Sequence, residues 1–242
     1  MSTLYVDAHC HLHDYPDFQI SRFNGIIIVA VSDDYESSLK TLEISEKFSN
    51  VVPCVGIHPW SISNTSINTI RKVLSLAPEA KCLGEVGLDK RFKPETYHIQ
   101  FEIFKEVVNV AREYSLPLNI HAVGAWKEVF DMVYKSDIDR VMFHWYSGPI
   151  DLLREIMDVD YLISINPSIK VQRKHVKVLE EVNIKNLLTE SDGPYVYHEL
   201  NLNPLMVKEL VKYIAEVKNV PEDHLANVVL NNLCKFVKIL FK

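Results

Sequence analysis

The sequence predicts an α/β protein folded as a (β/α)8 TIM barrel, with residues 1–242 in a single domain. Eight short apolar runs recur along the chain, and stretches of helical periodicity lie between them. The length of 242 residues and the hydrophobic content of 48% suffice for one such barrel. A doubly wound open sheet is the alternative, but the sequence lacks the GxGxxG fingerprint of that fold. No Pro/Gly/Ser-rich linker and no shift in composition marks a second domain.

The apolar runs are predicted to be parallel strands. They are almost continuously hydrophobic, which is typical of strands that helices cover on both faces. In chain order they read LYVDAH, GIIIVAV, VVPCVGI, KCLGEVG, LPLNIHA, RVMFHW, YLISIN and NLLTES. Between them, apolar periodicity predicts helices over residues 35–48, 95–114, 126–134, 149–157 and 171–182, and two more helices follow Asn203. Pro94 and Glu95 mark a helix start, because proline favours the first helical position and acidic residues favour the first turn.

Charge, cysteine usage and hydropathy predict a soluble, cytoplasmic protein. The chain shows no basic start followed by an apolar stretch, and no run approaches the roughly 18 apolar residues that a membrane span needs. The four cysteines, at positions 10, 54, 82 and 234, have no CxxC spacing and are expected to be free thiols. The net charge of −6 argues against an extended nucleic-acid-coating surface but permits a local basic rim. No obligate protein partner is evident.

Residues of the types that bind metals lie at the end of six predicted strands or directly after it. Catalytic residues of a barrel project from the carboxyl ends of its strands, so these positions are the ones to search. They hold His9, His11, His58, Glu85, His121, His144 and Asp192. Five of the ten histidines therefore lie at strand ends. The histidines at 98, 175, 198 and 224 are expected to be surface or packing residues, and His13 stays undecided.

These residues predict a site for two divalent ions, because four imidazoles and two carboxylates are too many for one tetrahedral ion. Glu85 is expected to bridge the ions, with His9, His11 and Asp192 on the first ion and His121 and His144 on the second. Nitrogen and oxygen ligands without thiolate favour Zn²⁺ or Mn²⁺, and Mg²⁺ stays open.

The same residues suggest a hydrolytic mechanism in which Glu85 and Asp192 are catalytic. Water bound to such ions loses a proton near neutral pH and attacks, while the second ion stabilises the developing oxyanion. Asp192 is the candidate general base. Asp7 lies on the same strand face as His9 and His11, and it is expected to orient one of these ligands from behind.

Six motifs in order resemble the TatD family of metal-dependent hydrolases, within the amidohydrolase superfamily. They are DAHCHL at the start, GIHPW at 56–60, GEVGLD at 84–89, NIHA at 119–122, FHWYSG at 143–148 and TESDGPY at 189–195. The resemblance implies a metal-binding barrel and phosphodiester cleavage in DNA, and it carries over the same six ligands. His58 corresponds to the family's GxHP histidine, which the resemblance assigns to the substrate phosphate or to support of the ligands.

The chain departs from the family pattern around the substrate. His13 stands where the first motif usually has aspartate, and Gly193 stands where the family often has serine. AVGAW follows His121 where the family usually has a Thr-Arg-Asp stretch, so the arginine contact to the substrate that the resemblance implies is missing. The usual NAxRLF ending reads NNLCKFV. The ligands thus look intact, whereas the substrate pocket looks altered.

Cations and aromatics near the predicted site are candidates for binding DNA or another phosphodiester. Lys90, Arg91 and Lys93 follow the fourth strand, and Lys170, Arg173 and Lys174 follow the seventh. Solvated surface charge is an equally good interpretation of these residues. Lys90, Arg91 and Trp145, together with His58, are the predicted substrate-binding residues. Trp60, Trp145 and Tyr146 could stack on bases, or they could serve in packing.

Three functions fit these observations. The leading one is a divalent-metal-dependent phosphodiesterase or deoxyribonuclease. An amide, ester or lactone hydrolase, such as an aminoacyl-ester deacylase, is the alternative, because the same activated water attacks carbonyls. A non-catalytic, metal-stabilised binding protein is the third, and the complete ligand set argues against it.

Overall fold

A computed structural model of the protein describes residues 3–63 and 66–241. Eight parallel strands form one sheet in the order β1 to β8, as the sequence predicts. The strands are β1 Tyr5–Cys10, β2 Ile26–Ala30, β3 Val51–Val55, β4 Cys82–Gly87, β5 Leu118–His121, β6 Val141–Phe143, β7 Leu162–Ile165 and β8 Leu187–Thr189. A small antiparallel hairpin follows, with β9 Val196–Tyr197 and β10 Leu200–Asn201.

Helices lie between the strands and after the hairpin. They are α1 Asp17–Ile20, α2 Tyr35–Lys47, α3 Ser66–Leu74, α4 Tyr97–Glu113, α5 Trp126–Lys135, α6 Ile150–Asp158, α7 Arg173–Glu181, α8 Met206–Lys218 and α9 Glu222–Val237. The predicted helices are all present, with ends that differ by one or two residues. Pro94 and Glu95 form a short 3₁₀ turn, Pro94–Thr96, directly before α4. Within the described ranges, no helix is both long and apolar enough to cross a membrane.

Contacts between the ends of the sheet bring β1 and β8 together. The Thr189 hydroxyl donates to the carbonyl of Val6 at 2.6 Å. Beyond β8, the Asp192 N–H donates to the carbonyl of His9 at 2.9 Å, and the His11 N–H donates to the carbonyl of Gly193 at 2.8 Å. These contacts confirm the predicted barrel and join its first and last ligand-bearing segments. The domain limits of 1–242 stay a prediction.

Close approach of β4 and β5 depends on a glycine. Gly87 has φ +140°, and a Cβ added there would lie 1.9 Å from the carbonyl oxygen of His121. Since Gly87 pairs with His121 across the two strands, a larger residue would push them apart. Gly87 therefore allows Glu85 on β4 and His121 on β5 to meet.

The cysteines depart in part from the prediction of free thiols. Cys54 on β3 and Cys82 on β4 form a disulfide, with Cα atoms 4.6 Å apart. They are direct register partners in neighbouring parallel strands, a relation that their separation in the sequence does not reveal. Cys10 and Cys234 are free, as predicted.

Candidate metal centre and active site

Glu85 lies at the centre of the predicted ligands, with 1% of its surface exposed. Its Oε2 is 3.1 Å from Nε2 of His9 and 3.4 Å from Nε2 of His11. Its Oε1 is 2.6 Å from Nδ1 of His121 and 3.1 Å from Nε2 of His144. One carboxylate oxygen thus faces each predicted histidine pair, which is the arrangement that a bridging carboxylate requires.

Asp192 completes the first group of predicted ligands. Its Oδ1 is 3.5 Å from Nε2 of His9 and 3.4 Å from Nε2 of His11. The three residues offer ligand atoms close enough to share one ion. Asp192 has φ +58°, a left-handed conformation that aspartate tolerates better than most residues do. The barrel closure beyond β8 holds it there through its backbone contact to His9.

His58 lies within the cluster itself. Its Nε2 is 3.2 Å from Oε1 of Glu85 and 3.3 Å from Nδ1 of His121. Its Nδ1 accepts the backbone N–H of Trp60 at 3.1 Å. The structure thus gives His58 the same carboxylate contact as the predicted ligands, at the wall of the cavity where a substrate would enter.

Each predicted histidine ligand has an oxygen beside the ring nitrogen that faces away from Glu85. The distances are 2.8 Å from His9 Nδ1 to Asn119, 3.2 Å from His11 Nδ1 to Asp33, 3.0 Å from His121 Nε2 to Asp89 and 3.5 Å from His144 Nδ1 to Glu190. The contacts of Asn119 and Asp89 are hydrogen bonds, and such partners hold the ring proton and so fix the tautomer. When the inner nitrogen of such a ring carries no proton, its lone pair points at the central carboxylate.

Lone pairs directed at carboxylate oxygens repel unless a proton or a cation lies between them. The donor set therefore fits divalent ions, with imidazole nitrogen and carboxylate oxygen and no thiolate. His9, His11 and Asp192 offer ligand atoms that could hold one ion, and His58, Glu85 and His121 offer a second such group. The assignment of His144 to the second ion stays a prediction.

The charges of the carboxylates and histidines in the cluster also favour the binding of a cation. Burial by itself raises the pKa of Glu85, but the positive charges of His58, His144 and His9 outweigh it and hold the pKa well below its usual range. Burial lowers the pKa of His11, but hydrogen bonds to Asp192, Asp33 and Glu85 raise it well above the usual value. Metal ions compete with protons for such nitrogens, so metal binding releases protons.

Asp7 contacts Ser191 and the backbone of His9, whereas the sequence predicted that it would orient His9 or His11 from behind. Its Oδ1 accepts the backbone N–H of Ser191 at 2.7 Å, and its Oδ2 accepts the Ser191 hydroxyl at 2.5 Å. It also accepts the backbone N–H of His9 at 3.3 Å. Asp7 thus ties the backbone of β1 to the segment that carries Asp192, and Asn119 takes the role of contacting the His9 ring.

Two departures from the family pattern have local explanations. His13 lies beside the carbonyl of Val31 and beside Oδ2 of Asp33, each at 3.2 Å, so it supports the carboxylate that contacts His11. At position 193 a Cβ would lie 2.5 Å from the hydroxyl oxygen of Tyr15, which leaves no room for serine.

The cavity over this centre has a volume of about 740 Å³. Of the predicted substrate residues, His58, Arg91 and Trp145 line it, and Lys174 adds a second cation. Lys90 is not among the residues that line the cavity, and its ammonium pairs with Glu128 at 3.3 Å, so its role in substrate binding stays a prediction. Ala122 and Val123 line the cavity where the family pattern has polar residues.

Tyr146 and Trp60, which were candidates for base stacking, differ in exposure. Tyr146 is 1% exposed, and its hydroxyl donates to the carbonyl of Pro149 at 2.7 Å, so it is a packing residue. Trp60 is 43% exposed and lines the cavity, and its indole N–H donates to Asp89 at 2.6 Å.

Sequence reasoning missed the four outer oxygens on Asp33, Asn119, Asp89 and Glu190. Asn119, Asp89 and Glu190 lie within the quoted motifs, next to or near a ligand, and their burial in apolar runs was the available signal. A buried polar side chain needs a partner, which marks such residues as part of a site.

Asn119 is expected to control the affinity of the site for metal. Its amide nitrogen donates to the carbonyl of Ala8 at 2.9 Å, which directs its oxygen at the His9 ring. In the Asn119→Leu variant the ring loses its acceptor, and the affinity for Zn²⁺, measured by competition with a chelating dye, should fall about 10- to 100-fold.

Asn232 is the matched control for this prediction. It is also buried, but its amide donates to the carbonyls of Ile184 and Leu187 and contacts none of the predicted ligands. Asn232→Leu should destabilise the fold and leave the affinity of the folded protein for Zn²⁺ unchanged. Equal affinities of the two variants would contradict the orienting role of Asn119.

His175 is expected to make the fold less stable in acid. Burial, followed by the charge of Lys174, lowers its pKa from 6.5 to about 4. The folded state therefore stays neutral while the unfolded chain takes up a proton, so stability falls as the pH drops from 6.5 to 4. The Ser168 hydroxyl donates to Nδ1 at 2.7 Å, and asparagine places an oxygen in a similar position.

The His175→Asn variant should lack this part of the acid-side loss, on the order of 3 kcal/mol between pH 7 and pH 4. Urea unfolding of both proteins at the two pH values measures it. An identical pH dependence in wild type and variant would refute the prediction.

Comparison with known proteins identifies the family. The family model described as TatD related DNase matches residues 6–238, which is nearly the whole chain. The chain belongs to the TatD related DNase family. This family membership confirms the resemblance that the six motifs indicated, and the TatD relatives include metal-dependent hydrolases.

Two TatD relatives match over almost their whole length. A metal-dependent hydrolase of Methanocaldococcus jannaschii is 34% identical over 247 residues, covering 97% of this chain and 97% of the relative. Human deoxyribonuclease TATDN3 is 25% identical over 258 residues, covering 95% of this chain and 93% of the relative. Among solved structures, the TatD homologue YjjV of Escherichia coli has a TM-score of 0.86 at 21% identity, covering 99% and 100% of the two chains. That likeness shows the shared barrel.

Proposed function

We propose that this TatD-family protein hydrolyses phosphodiester bonds in DNA with two divalent ions, Zn²⁺, Mn²⁺ or Mg²⁺. The central observation is the position of Glu85, whose two oxygens each face a different histidine pair. When bound, such ions lower the pKa of water and polarise a phosphoryl oxygen. The side chains of this protein carry out the transfer of the proton and the binding of the substrate.

Glu85 and Asp192 carry the charge and the proton in this proposal. Glu85 stays ionised because the surrounding histidines hold its pKa low, so it keeps the two groups of ligands together. Asp192 borders the cavity beside His9 and His11. It accepts the proton of the attacking water and returns it to the leaving oxygen. Asp7 and Ser191 hold the Asp192 backbone in place for this transfer.

DNA as substrate is supported by the relatives and by the cations of the cavity. Human TATDN3 is named a deoxyribonuclease and matches most of this chain. Arg91 and Lys174 line the same cavity as the ligands and would contact the phosphates that flank the bond being cleaved. A cytoplasmic location stays a prediction from the sequence.

Acyl-ester hydrolysis is the second candidate, and the composition of the cavity favours it. Four carboxylates and two Lys or Arg side chains line the described cavity, namely Asp14, Asp33, Glu85, Asp192, Arg91 and Lys174. The arginine that the family pattern places after His121 is replaced by small apolar residues. A less cationic cavity suits an uncharged ester better than a polyanion.

The test is cleavage of a fluorescent single-stranded DNA by protein that has been stripped with chelator and reloaded with each ion in turn. Activity should disappear with the metal and return with at least one of the three ions. Aminoacyl-ester and lactone substrates are assayed in parallel. If the protein hydrolyses acyl substrates but neither DNA nor bis-p-nitrophenyl phosphate, phosphodiester hydrolysis is rejected in favour of the second candidate.

A further inference from the structure

The mouth of the cavity carries two groups of aromatic side chains that the metal centre does not use. The first group, the hairpin wall, consists of Trp145, Tyr195 and Tyr197, the two tyrosines being at or next to β9. The second group, the loop wall, consists of Trp60 and Phe92. All five line the cavity.

The hairpin wall is built as a fixed surface. The Trp145 ring lies 5.0 Å from Tyr197 and 6.2 Å from Tyr195, with interplanar angles of 74° and 73°. Edge-to-face contacts of this kind hold aromatic rings in defined positions. The Trp145 indole N–H also points to Nδ1 of His175 at 3.4 Å. The rings of the hairpin wall are therefore held against one another at the cavity.

Trp145 adopts a backbone conformation that a bulky residue rarely takes, with φ +41°. The strand-end network holds it there, because its N–H donates to Glu190 at 2.9 Å and to Ser164 at 3.2 Å. Such strained positions persist where the surrounding structure holds them, and they cluster at ligand-binding sites.

The loop wall is held by the metal centre on one side and is open to solvent on the other. Trp60 lies 5.8 Å from Phe92 at 73°. Asp89, which contacts the His121 ring, accepts the Trp60 indole N–H and the backbone N–H of Phe92. The Arg91 guanidinium lies 5.2 Å from the Phe92 ring centre, so a cation accompanies this wall.

The two walls come from different strand ends around the metal centre. Trp60 and Phe92 follow β3 and β4, whereas Trp145 follows β6 and Tyr195 and Tyr197 follow β8. Both walls border the cavity that Glu85 also lines, so a group bound at the metals has two separate aromatic surfaces within the same cavity.

Exposure separates these walls from packing aromatics. Tyr195 is 45% exposed and Phe92 is 55% exposed, whereas Tyr146 near the same cavity is 1% exposed. Apolar surface gathered around a polar pocket marks a binding site. The aromatic rings therefore offer planar faces to a ligand instead of filling the core.

We propose that the two walls are base-binding subsites, which stack one unpaired nucleobase on each side of the phosphodiester bond to be cleaved. This inference rests on the proposed hydrolysis of DNA. Bases held in a duplex cannot leave their partners to reach both walls, so the bound segment is single-stranded at the metals. Stacking tolerates any base, so the walls select planar unpaired bases and not a sequence.

The experiment compares a single-stranded DNA with the same strand carrying abasic sites on both sides of the cleaved bond, using the metal-loaded full chain. The wild type should prefer the base-containing strand in kcat/KM by about 10- to 100-fold. Tyr195→Leu on the hairpin wall and Phe92→Leu on the loop wall should each lower this preference about tenfold. Phe18→Leu is the matched control, because Phe18 is 61% exposed on α1 and is not among the residues that line the cavity. It should leave the preference unchanged.

Binding of the same strands, followed by fluorescence anisotropy, tests the walls even without cleavage. Tighter binding of the base-containing strand, lost in Tyr195→Leu and Phe92→Leu but not in Phe18→Leu, supports the subsites. Base-dependent binding without cleavage under any ion would reject the proposed hydrolysis and retain the subsites. Equal binding and equal cleavage of the two strands by the wild type, or a preference that both wall variants keep, would overturn the inference.

Discussion

The Glu85→Gln variant is expected to lose its divalent ions and at least about 10⁴-fold of its hydrolytic rate. The physical reason is the symmetry of the contacts, since one oxygen faces His9 and His11 and the other faces His121 and His144. Glutamine has one oxygen and one NH₂ group, so it must turn a donor toward one of the pairs. The substitution also removes the negative charge that would offset the charges of the two divalent ions.

Two measurements check this result. Elemental analysis after dialysis should find two ions per wild-type chain and fewer than one per variant chain, and the DNA assay should find only residual activity. Glu106→Gln on the exposed face of α4 is the matched control and should behave as the wild type does. A Glu85→Gln protein that keeps two ions and a tenth of the activity would contradict the bridging role.

The Asp192→Asn variant is expected to lose about 10²- to 10⁴-fold in kcat, because asparagine cannot accept the proton of the attacking water. An amide oxygen remains to face His9 and His11, so metal content should fall less than in the Glu85 variant. KM should change little, since Asp192 acts on water and not on the binding of DNA.

Saturation with metal distinguishes a base from a ligand. If the Asp192→Asn protein, once saturated with metal, recovers full kcat, Asp192 only binds the ion and another group takes the proton. His58 is then the first group to examine, because it contacts both Glu85 and His121 at the cavity wall.

The four outer oxygens connect the histidine ligands to the residues that surround the metal centre. Asn119, Asp33, Asp89 and Glu190 each lie beside the ring of one predicted ligand, and each is itself contacted by another backbone or side-chain group. Asp89 also anchors both members of the loop wall, Trp60 and Phe92. The orientation of the metal centre and the shape of the proposed base-binding surface therefore depend on shared residues.

The strands and their order could be predicted because buried parallel strands have a strong local signature. Runs such as GIIIVAV and VVPCVGI are almost wholly apolar, and the structure places β2 and β3 within them. The convergence of His9, Glu85 and His144 was predictable for the same reason, since every strand of a barrel ends at the same face.

Other features depend on the direction of a side chain, which no local pattern contains. Lys90 and Arg91 are neighbours in one loop, yet Lys90 pairs with Glu128 and Arg91 lines the cavity. The pairing of Cys54 with Cys82 depends on the register of two strands in the same way.

By itself the sequence determined the barrel and the chemical types of the groups at its catalytic face, because buried strands and their ends can be recognised in short stretches of consecutive residues. Only the tertiary structure decided which oxygen orients each histidine ring, that His58 belongs to the ligand cluster and that Asp7 supports the segment of Asp192. These contacts join residues far apart in the chain, such as His9 and Asn119, and their distances depend on barrel closure and strand register. Neither quantity is encoded in any single stretch of sequence.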